Sequence, residues 1–180
     1  HVDRITHLAA AADGSVFVSG GYDNTVRLWS AESGKELHVF PELAANVKSV
    51  AISPDGALLA AGSEDGNIHA WNMADYSLAR LMCAGDGSAE ALAFSNSDGI
   101  LAASSHDKIA LFDPATGKML RRFTAHRGGV ARLCFAPGSD TLFSAGNDGA
   151  IRAWVADSGE ELYSLSGHGD DVTALAFSSD

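Results

Sequence analysis

The feature that most constrains this sequence is a repeat with one long period. An aromatic residue recurs with spacings of 42, 41 and 42, and an aspartate recurs with spacings of 42, 42 and 41. The aromatic markers are Trp29, Trp71, Phe112 and Trp154, and the acidic markers are Asp23, Asp65, Asp107 and Asp148. Because two independent markers share one period, the sequence predicts a chain of similar supersecondary units stacked against each other.

Each unit contains four short apolar runs separated by turn residues. In the second unit the runs cover 47–52, 58–61, 68–71 and 77–82. The Asp-Gly pairs between runs are interpreted as turns, because aspartate bonds its own backbone and glycine accepts a positive φ. These pairs are Asp55-Gly56, Asp65-Gly66, Asp98-Gly99 and Asp148-Gly149. The pattern predicts an all-β fold with four strands in each unit.

The strands of a unit differ in composition, and the differences predict their places. The second runs, such as 58–61 and 100–103, are apolar on both faces and should lie in the interior. The fourth runs, 35–39 and 118–122, carry charge and should form an outer edge. In the first runs a large residue precedes a small one, as in Val50-Ala51 and Leu133-Cys134. Large side chains of one sheet should therefore fill the space beside small side chains of the next.

The units resemble the WD40 family of β-propellers. The resemblance depends on the period of 41 to 42 residues, the four strands, a histidine at the head and an aromatic residue ending the third strand. It covers the whole chain and is clearest in the fourth unit, with Ala125-His126, then 144–149 and 151–154. The Trp-Asp dipeptide itself does not occur, and Phe112-Asp113 is the nearest pair.

The resemblance implies four four-stranded antiparallel blades plus the first strand of a fifth, arranged as an open arc of a larger propeller. Residues 1–180 would form a single segment with repeats at about 1–42, 43–84, 85–125 and 126–167 and a partial repeat at 168–180. The end blades of an arc expose apolar faces. We expect the rest of a larger propeller to cover them, and a second copy of the chain is the alternative.

The resemblance also implies two buried hydrogen-bond networks. The matching residues are His1, Ser19, Asp23 and Trp29 in the first unit, and His126, Ser144, Asp148 and Trp154 in the fourth. The second unit departs from the pattern at Leu43 and Ala61, and the third at Gly85, Ala103 and Phe112. Because an unsatisfied buried polar group costs about 1 to 3 kcal/mol, we expect the second and third blades to be softer.

The charge of the chain argues against polyanionic partners. It has 12 Lys and Arg against 23 Asp and Glu, a formal net charge of −11. Nucleic acid and membrane are therefore not expected as partners, whereas basic proteins are. Cys83 and Cys134 lack metal-ligand spacing and are interpreted as reduced thiols, which predicts an intracellular, cytoplasmic protein.

Metal, cofactor and catalytic sites are not expected. The seven histidines show no paired ligand spacing. The first strands should line a central channel, where Glu90 is a single carboxylate and offers no acid/base pair. We therefore predict that the protein is not an enzyme. Two alternatives are a propeller enzyme or metal-binding domain whose chemistry is completed outside this segment, and a sensor module of a multidomain signalling protein.

The residues before the four marker aspartates are the candidate binding residues. They are Tyr22, Glu64, His106 and Asn147, which differ from one another while their neighbours repeat. In proteins similar to the WD40 family this ring lies on a face often used to hold peptides, and these groups would suit a peptide carrying Lys or Arg. Solvated turn residues are the alternative interpretation. The predicted function is a protein–protein interaction scaffold in a larger intracellular assembly, binding partners on this face and the rim.

Overall fold

The computed structural model describes residues 1–96 and 99–177, which form four antiparallel sheets of four strands, termed blades 1 to 4. Blade 1 contains β1 (Ile5–Ala10), β2 (Val16–Gly21), β3 (Val26–Ser30) and β4 (Glu36–Val39). Blade 2 contains β5 (Val47–Ile52), β6 (Leu58–Ser63), β7 (Asn67–Asn72) and β8 (Leu78–Cys83). Blade 3 contains β9 (Leu92–Phe94), β10 (Leu101–Ser105), β11 (Lys108–Phe112) and β12 (Met119–Thr124), and blade 4 contains β13 (Val130–Phe135), β14 (Thr141–Gly146), β15 (Ala150–Val155) and β16 (Glu160–Ser166). The predicted all-β propeller segment is confirmed.

Every blade has two ends that carry different turns, because its strands pair in chain order. The turns after the first and third strands lie at one end, termed the turn face. The turn after the second strand and the connection to the next blade lie at the opposite end, termed the connection face. Side chains shape these turns: Asp55 accepts a hydrogen bond from the N–H of Ala57 at 3.0 Å in the turn between β5 and β6.

The middle strands form the interior of each blade, and the fourth strand forms its outer edge. Every residue of β10 is buried, and Leu59 and Ala60 of β6 are fully buried. In contrast, every residue of β16 is exposed, and β12 has a single partly buried residue, Phe123. The places predicted for the second and fourth strands are confirmed.

Adjacent blades pack through complementary sides of their first strands. Ala51 of β5 and Leu92 of β9 belong to one buried cluster between blades 2 and 3. The equivalent contacts place Ala9 against the cluster of Val50, and Ala93 against the cluster of Leu133. Complete burial of a large apolar side chain stabilises by roughly 1.5 to 3 kcal/mol. The predicted packing of large side chains against small ones is therefore confirmed, and it joins each blade to the next.

The blades form an open arc with apolar side chains exposed at both ends. Leu8 on blade 1 is 59% exposed, whereas its counterpart Val50 is 1% exposed. At the other end, Tyr163 on blade 4 is 50% exposed, although Phe177 covers part of that face by packing against Phe143 with 5.1 Å between ring centroids. The end face of blade 1 is therefore exposed as expected of an arc, and that of blade 4 is exposed in part.

The partial fifth repeat does not form the first strand that was predicted for it. Residues 167–177 have no strand within the described part of the chain, although the N–H of Val172 donates to the carbonyl of Gly146 at 3.3 Å. In blades 1 to 4 the first strand pairs with the second strand of its own blade, as β1 does with β2, and among the described residues no such partner lies beside 167–177. Residues 178–180 and Asp98 of the predicted Asp98-Gly99 turn lie outside the described residues.

One turn carries a tyrosine where the other blades carry glycine. Gly34, Gly117 and Gly159 have φ angles of 67°, 74° and 68°, and Tyr76 has 61°. This left-handed conformation costs a residue with a Cβ atom roughly 1 to 2 kcal/mol. The ring of Tyr76 stacks on His38 of blade 1 with 4.1 Å between centroids and meets Phe40 edge-on at 5.8 Å. Contact with the preceding blade offsets the strain.

Candidate interaction face and its supporting networks

A buried histidine organises the connection face of blade 4. His126 follows β12 and is 1% exposed. Its Nδ1 is 2.8 Å from Asp148 Oδ1, and its Nε2 is 2.7 Å from Ser144 Oγ. The indole N–H of Trp154 donates to the same Ser144 Oγ at 2.8 Å. The connection after β12, the strands β14 and β15 and the turn between them thus bring together the four residues that the sequence pattern groups in this unit.

Blade 1 holds the four corresponding residues in the same arrangement. The Nδ1 of His1 is 2.8 Å from Asp23 Oδ1, and its Nε2 is 2.6 Å from Ser19 Oγ. The indole N–H of Trp29 donates to Ser19 Oγ at 2.8 Å. Asp23 also accepts from the hydroxyl of Thr25 at 2.8 Å. The carboxylate therefore fastens the segment before β1 to the turn between β2 and β3.

The blade 4 network shifts the pKa values of its members. Burial lowers the pKa of His126, although its hydrogen bond to Asp148 acts in the opposite direction. Burial acts to raise the pKa of Asp148, but hydrogen bonds from His126 and Arg152 outweigh it and hold this pKa well below its usual range. The imidazole is therefore neutral at neutral pH. With its proton on Nδ1 it donates to Asp148 and its Nε2 accepts from Ser144, while the guanidinium of Arg152 lies against the same Nδ1 edge.

Acidification is expected to destabilise the chain through its buried histidines. Burial lowers the pKa of His7 and His69 as well as that of His126. Such groups bind more protons in the unfolded chain, so their contribution to stability is complete above the unfolded pKa of about 6.5 and is lost as the pH falls below it. The charged neighbours are Arg132 for His7, Asp65 for His69, and Asp148 and Arg152 for His126.

Thermal melting followed by circular dichroism measures this effect. We expect the Tm to fall between about pH 7 and pH 5, and to fall less in a His126→Asn variant, which has one buried imidazole fewer. The matched control is His168→Asn, because His168 is exposed. A Tm that rises on acidification, as relief of the net negative charge alone would produce, contradicts this assignment.

Blade 2 replaces the histidine network with a serine. Asp65 accepts from the hydroxyl of Ser63 at 2.5 Å and from the N–H of Asn67 at 3.1 Å. Glycine stands at the position of Ser63 in the two blades that have a histidine, as Gly21 and Gly146. A Cβ atom on Gly146 would lie 2.7 Å from Asp148 Oδ1 and closer still to the ring of His126. Sequence reasoning missed this exchange, although glycine changes to serine at positions 63 and 105.

Blade 3 keeps only the aspartate of the network. The guanidinium of Arg122 packs against Gly85, in the space that a side chain at position 85 would occupy. Phe112 is 2% exposed and shares a buried cluster with Leu92 and Leu101. Apolar packing thus takes the place of the polar network in this blade. The lower stability expected of blades 2 and 3 stays a prediction.

Tyr22 and Glu64 lie on the connection face, where a lysine of this chain already engages them. The Nζ of Lys48 is 5.2 Å from the centroid of the Tyr22 ring, 3.3 Å from its hydroxyl and 3.4 Å from Glu64 Oε1. Glu90 Oε1 is 3.7 Å from the same Nζ. Arg4 covers the Tyr22 ring, with its Cζ atom 4.8 Å from the centroid. This half of the predicted ring is therefore an internal ion cluster.

The charge of Lys48 is stabilised by this cluster. Burial would lower the pKa of Lys48, but Tyr22, Glu90 and Glu64 together outweigh burial and raise it. The sequence could not show this contact, because Lys48 belongs to β5 of blade 2 and reaches back to a turn of blade 1. A basic side chain from a partner would have to displace Lys48 before it could bind Tyr22 and Glu64.

His106 and Asn147 border an open hollow between blades 3 and 4. The carbonyl of His106 accepts from the N–H of Val130 at 2.8 Å, and the N–H of Asn147 donates to the carbonyl of Gly129 at 3.0 Å. Both side chains are exposed. The hollow has a volume of about 330 Å³. Its remaining lining includes Ser88, Glu90 and Arg132, so it offers hydrogen-bond donors, acceptors and charges of both signs.

The described residues offer no metal-binding group. Across 1–96 and 99–177, no three His, Cys, Asp or Glu side chains are placed to hold an ion together. Burial raises the pKa of the Cys134 thiol to about 11, and neither cysteine forms a disulfide. A helix with the length and apolarity to cross a membrane is likewise absent from these ranges.

Comparisons with known proteins agree with this geometry. The family model described as "WD domain, G-beta repeat" matches residues 1–30, 34–72, 117–154 and 159–180. The solved structure of U3-55K is similar with a TM-score of 0.89 and 27% identity, over 96% of this chain and 54% of that chain. The crystal structure of the RRP9 WD40 repeats is similar with a TM-score of 0.88, the same identity and the same coverage. Comparison with curated protein sequences gives no match.

The four-stranded blades and the repeated Asp turns define a β-propeller segment. The chain belongs to the WD40 repeat family, which confirms the resemblance seen in the sequence. The gap in the family match, residues 73–116, covers much of the third repeat, where the network residues are missing. The chain spans about half the length of the U3-55K and RRP9 chains.

Proposed function

We propose that this chain is a non-catalytic scaffold that holds a partner protein or peptide on its connection face, within a larger assembly. WD40 propellers generally act as platforms for other proteins, and this chain has the rigid frame that such a platform needs. The observation that carries the proposal is the hollow between blades 3 and 4. There the exposed side chains of His106 and Asn147 stand beside a buried Ser88 hydroxyl that has no hydrogen-bond partner among the described residues.

The hollow has the chemistry of a polar recognition site. Buried polar groups are normally hydrogen-bonded, and a lone buried hydroxyl costs free energy until a partner satisfies it. Asn147 can donate or accept, and Arg132 supplies a guanidinium whose Nη1 donates to the carbonyl of Ala131 at 2.7 Å. A peptide backbone or a polar side chain offers matching groups. The Tyr22 and Glu64 half of the ring contributes less, because Lys48 already neutralises it.

Affinity purification of the full-length protein, with quantification by mass spectrometry, tests this proposal. We expect His106→Ala combined with Asn147→Ala to deplete a defined set of co-purifying proteins, and Tyr22→Ala to deplete them less. Glu32→Ala is the matched control, because Glu32 is an exposed residue on the turn face. Equal recovery from the double variant and the control would remove this hollow as the binding site. Recovery of RNA instead of protein would contradict the expectation that nucleic acid is not a partner.

We further propose a cytoplasmic location for this scaffold. Two cysteines without a disulfide support it, because thiols stay reduced in that compartment. A non-catalytic role is supported by Glu90, whose carboxylate pairs with Lys48 at 3.7 Å and is therefore committed to an ion pair. Imaging of the tagged protein tests the location, and a signal confined to another compartment contradicts it.

A further inference from the structure

The turn face, opposite the proposed binding hollow, carries an excess of negative charge. Among the described residues, seven acidic residues and two lysines lie in its turns, and the guanidinium groups of Arg80 and Arg121 reach the carbonyls of Ala115 and Asp157 there. The acidic residues are Asp13, Glu32, Asp55, Asp75, Asp113, Asp140 and Asp157, and the lysines are Lys35 and Lys118. Charge of one sign on one face attracts partners of the opposite sign.

A hollow with both polar and apolar lining opens on this face between blades 1 and 2. It has a volume of about 250 Å³, and the half-buried side chains of Val16, Ile52 and Met73 contribute to its lining. These three pack against the buried cluster that joins the two blades. Asp13 and Asp55 belong to the same lining and are exposed. The hollow thus combines apolar contact area with two carboxylates.

Both carboxylates are ionised and lack a cationic partner. Hydrogen bonds from the Ser53 hydroxyl and the Ala57 N–H lower the pKa of Asp55. Hydrogen bonds from the N–H and hydroxyl of Ser15 lower the pKa of Asp13. Within the described ranges, neither carboxylate forms an ion pair with a Lys, Arg or His side chain. Their charge is therefore available to a partner.

A second hollow lies on the other side of Asp55, between blades 2 and 3. It has a volume of about 410 Å³, and Leu58, Phe94 and Asp113 are among its lining residues. Pro54 and Asp55 border both hollows. The hydroxyl of Thr116 and, to a smaller extent, the nearby guanidinium of Arg80 lower the pKa of Asp113. Of the three carboxylates that line the two hollows, Asp13 and Asp55 are therefore the two without a basic neighbour. An extended segment that crosses Asp55 reaches both hollows.

We propose that the turn face is a second docking surface, which binds a basic segment of a partner protein through an apolar side chain placed between blades 1 and 2. The apolar side chain contacts Ile52 and Met73, and flanking Arg or Lys side chains pair with Asp13 and Asp55. Charge complementarity selects this occupant, because an acidic or neutral segment would leave both carboxylates unpaired. This surface is independent of the hollow beside His106.

Isothermal titration calorimetry of the full-length protein with an acetylated peptide of alternating arginine and leucine tests the proposal. We expect measurable binding that weakens with added salt, and an Asp13→Asn/Asp55→Asn variant with about tenfold lower affinity. Asparagine keeps the side-chain oxygen that shapes each turn and removes only the charge. The matched control, Asp75→Asn/Asp157→Asn, removes two charges from the same face outside both hollows and should bind as the wild type does.

Three outcomes would overturn the proposal. The first is no binding of the arginine–leucine peptide. The second is an equal loss of affinity in the control variant, which would indicate diffuse attraction to the whole face. The third is equal binding of a peptide of alternating arginine and serine, which would show that the apolar side chains of the hollow contribute nothing to binding. A His106→Ala variant should bind the peptide as tightly as the wild type does. Failure of this proposal can therefore be distinguished from failure of the connection-face proposal.

Discussion

Replacing Gly146 by alanine is expected to lower the free energy of unfolding by about 3 kcal/mol. The new Cβ atom would lie 2.7 Å from Asp148 Oδ1 and even closer to the imidazole of His126. The ring cannot move aside, because it is 1% exposed and is held by Asp148 and Ser144. Urea denaturation followed by tryptophan fluorescence measures the change.

The matched control for this prediction is Gly169→Ala. A Cβ atom there meets nothing within 4 Å, and we expect a change within about 0.5 kcal/mol. In a double-mutant cycle, His126→Ala should relieve part of the clash, so Gly146→Ala costs less in the variant that lacks the ring. Equal costs in both backgrounds would show that the imidazole is not what restricts this glycine.

Replacing Phe40 by alanine is expected to cost about 4 kcal/mol of stability. Phe40 follows β4 in the connection from blade 1 to blade 2 and is 1% exposed. Its ring lies 5.0 Å from the Trp71 ring and 4.8 Å from the His38 ring, between centroids. Removing it opens a cavity at the boundary between the two blades, where Leu28 and Leu59 belong to the same cluster.

Equilibrium unfolding in urea also measures this effect, and Leu37→Ala is its control. Leu37 lies three residues earlier in the chain and is 51% exposed, so we expect its truncation to change stability little. If blades 1 and 2 unfold independently, Phe40→Ala will broaden the transition instead of shifting it. An unchanged midpoint would refute the view that this ring joins the two blades.

The fold could be predicted from the sequence because each unit repeats the same pattern of turn residues and apolar runs. Turn residues such as Asp65 and Gly66 set the ends of the strands, and the alternation of Val50 with Ala51 sets how sheets stack. Blade 3 forms even though it retains only Asp107 of the network residues. Its strands are held by burial of Leu101, Ile109 and Phe112, which the sequence shows as uninterrupted apolar runs.

The candidate site could be predicted only in part, because its contacts depend on how blades approach each other. The sequence placed Tyr22 and Glu64 on one face, but not the reach of Lys48 from the next blade. It also gave no indication that a hollow would form beside His106, since a cavity arises from the gap between two sheets. Contacts within one blade follow from spacing along the chain, whereas contacts between blades depend on angles that spacing does not encode.

The alternation of glycine and serine before the marker aspartate restricts how such blades can evolve. In blade 4 the histidine leaves room only for glycine at this position, Gly146, in blade 1 a Cβ atom on Gly21 would lie 3.0 Å from His1 Nδ1, and a blade without the histidine carries serine, as at Ser63. Changing the serine blade one residue at a time would first give either two groups competing for the same carboxylate or a carboxylate that has lost its donor. A change between the histidine–glycine blade and the serine blade therefore requires two mutations together. A blade of either kind tends to stay as it is. That historical barrier would let two kinds of blade persist side by side in one molecule.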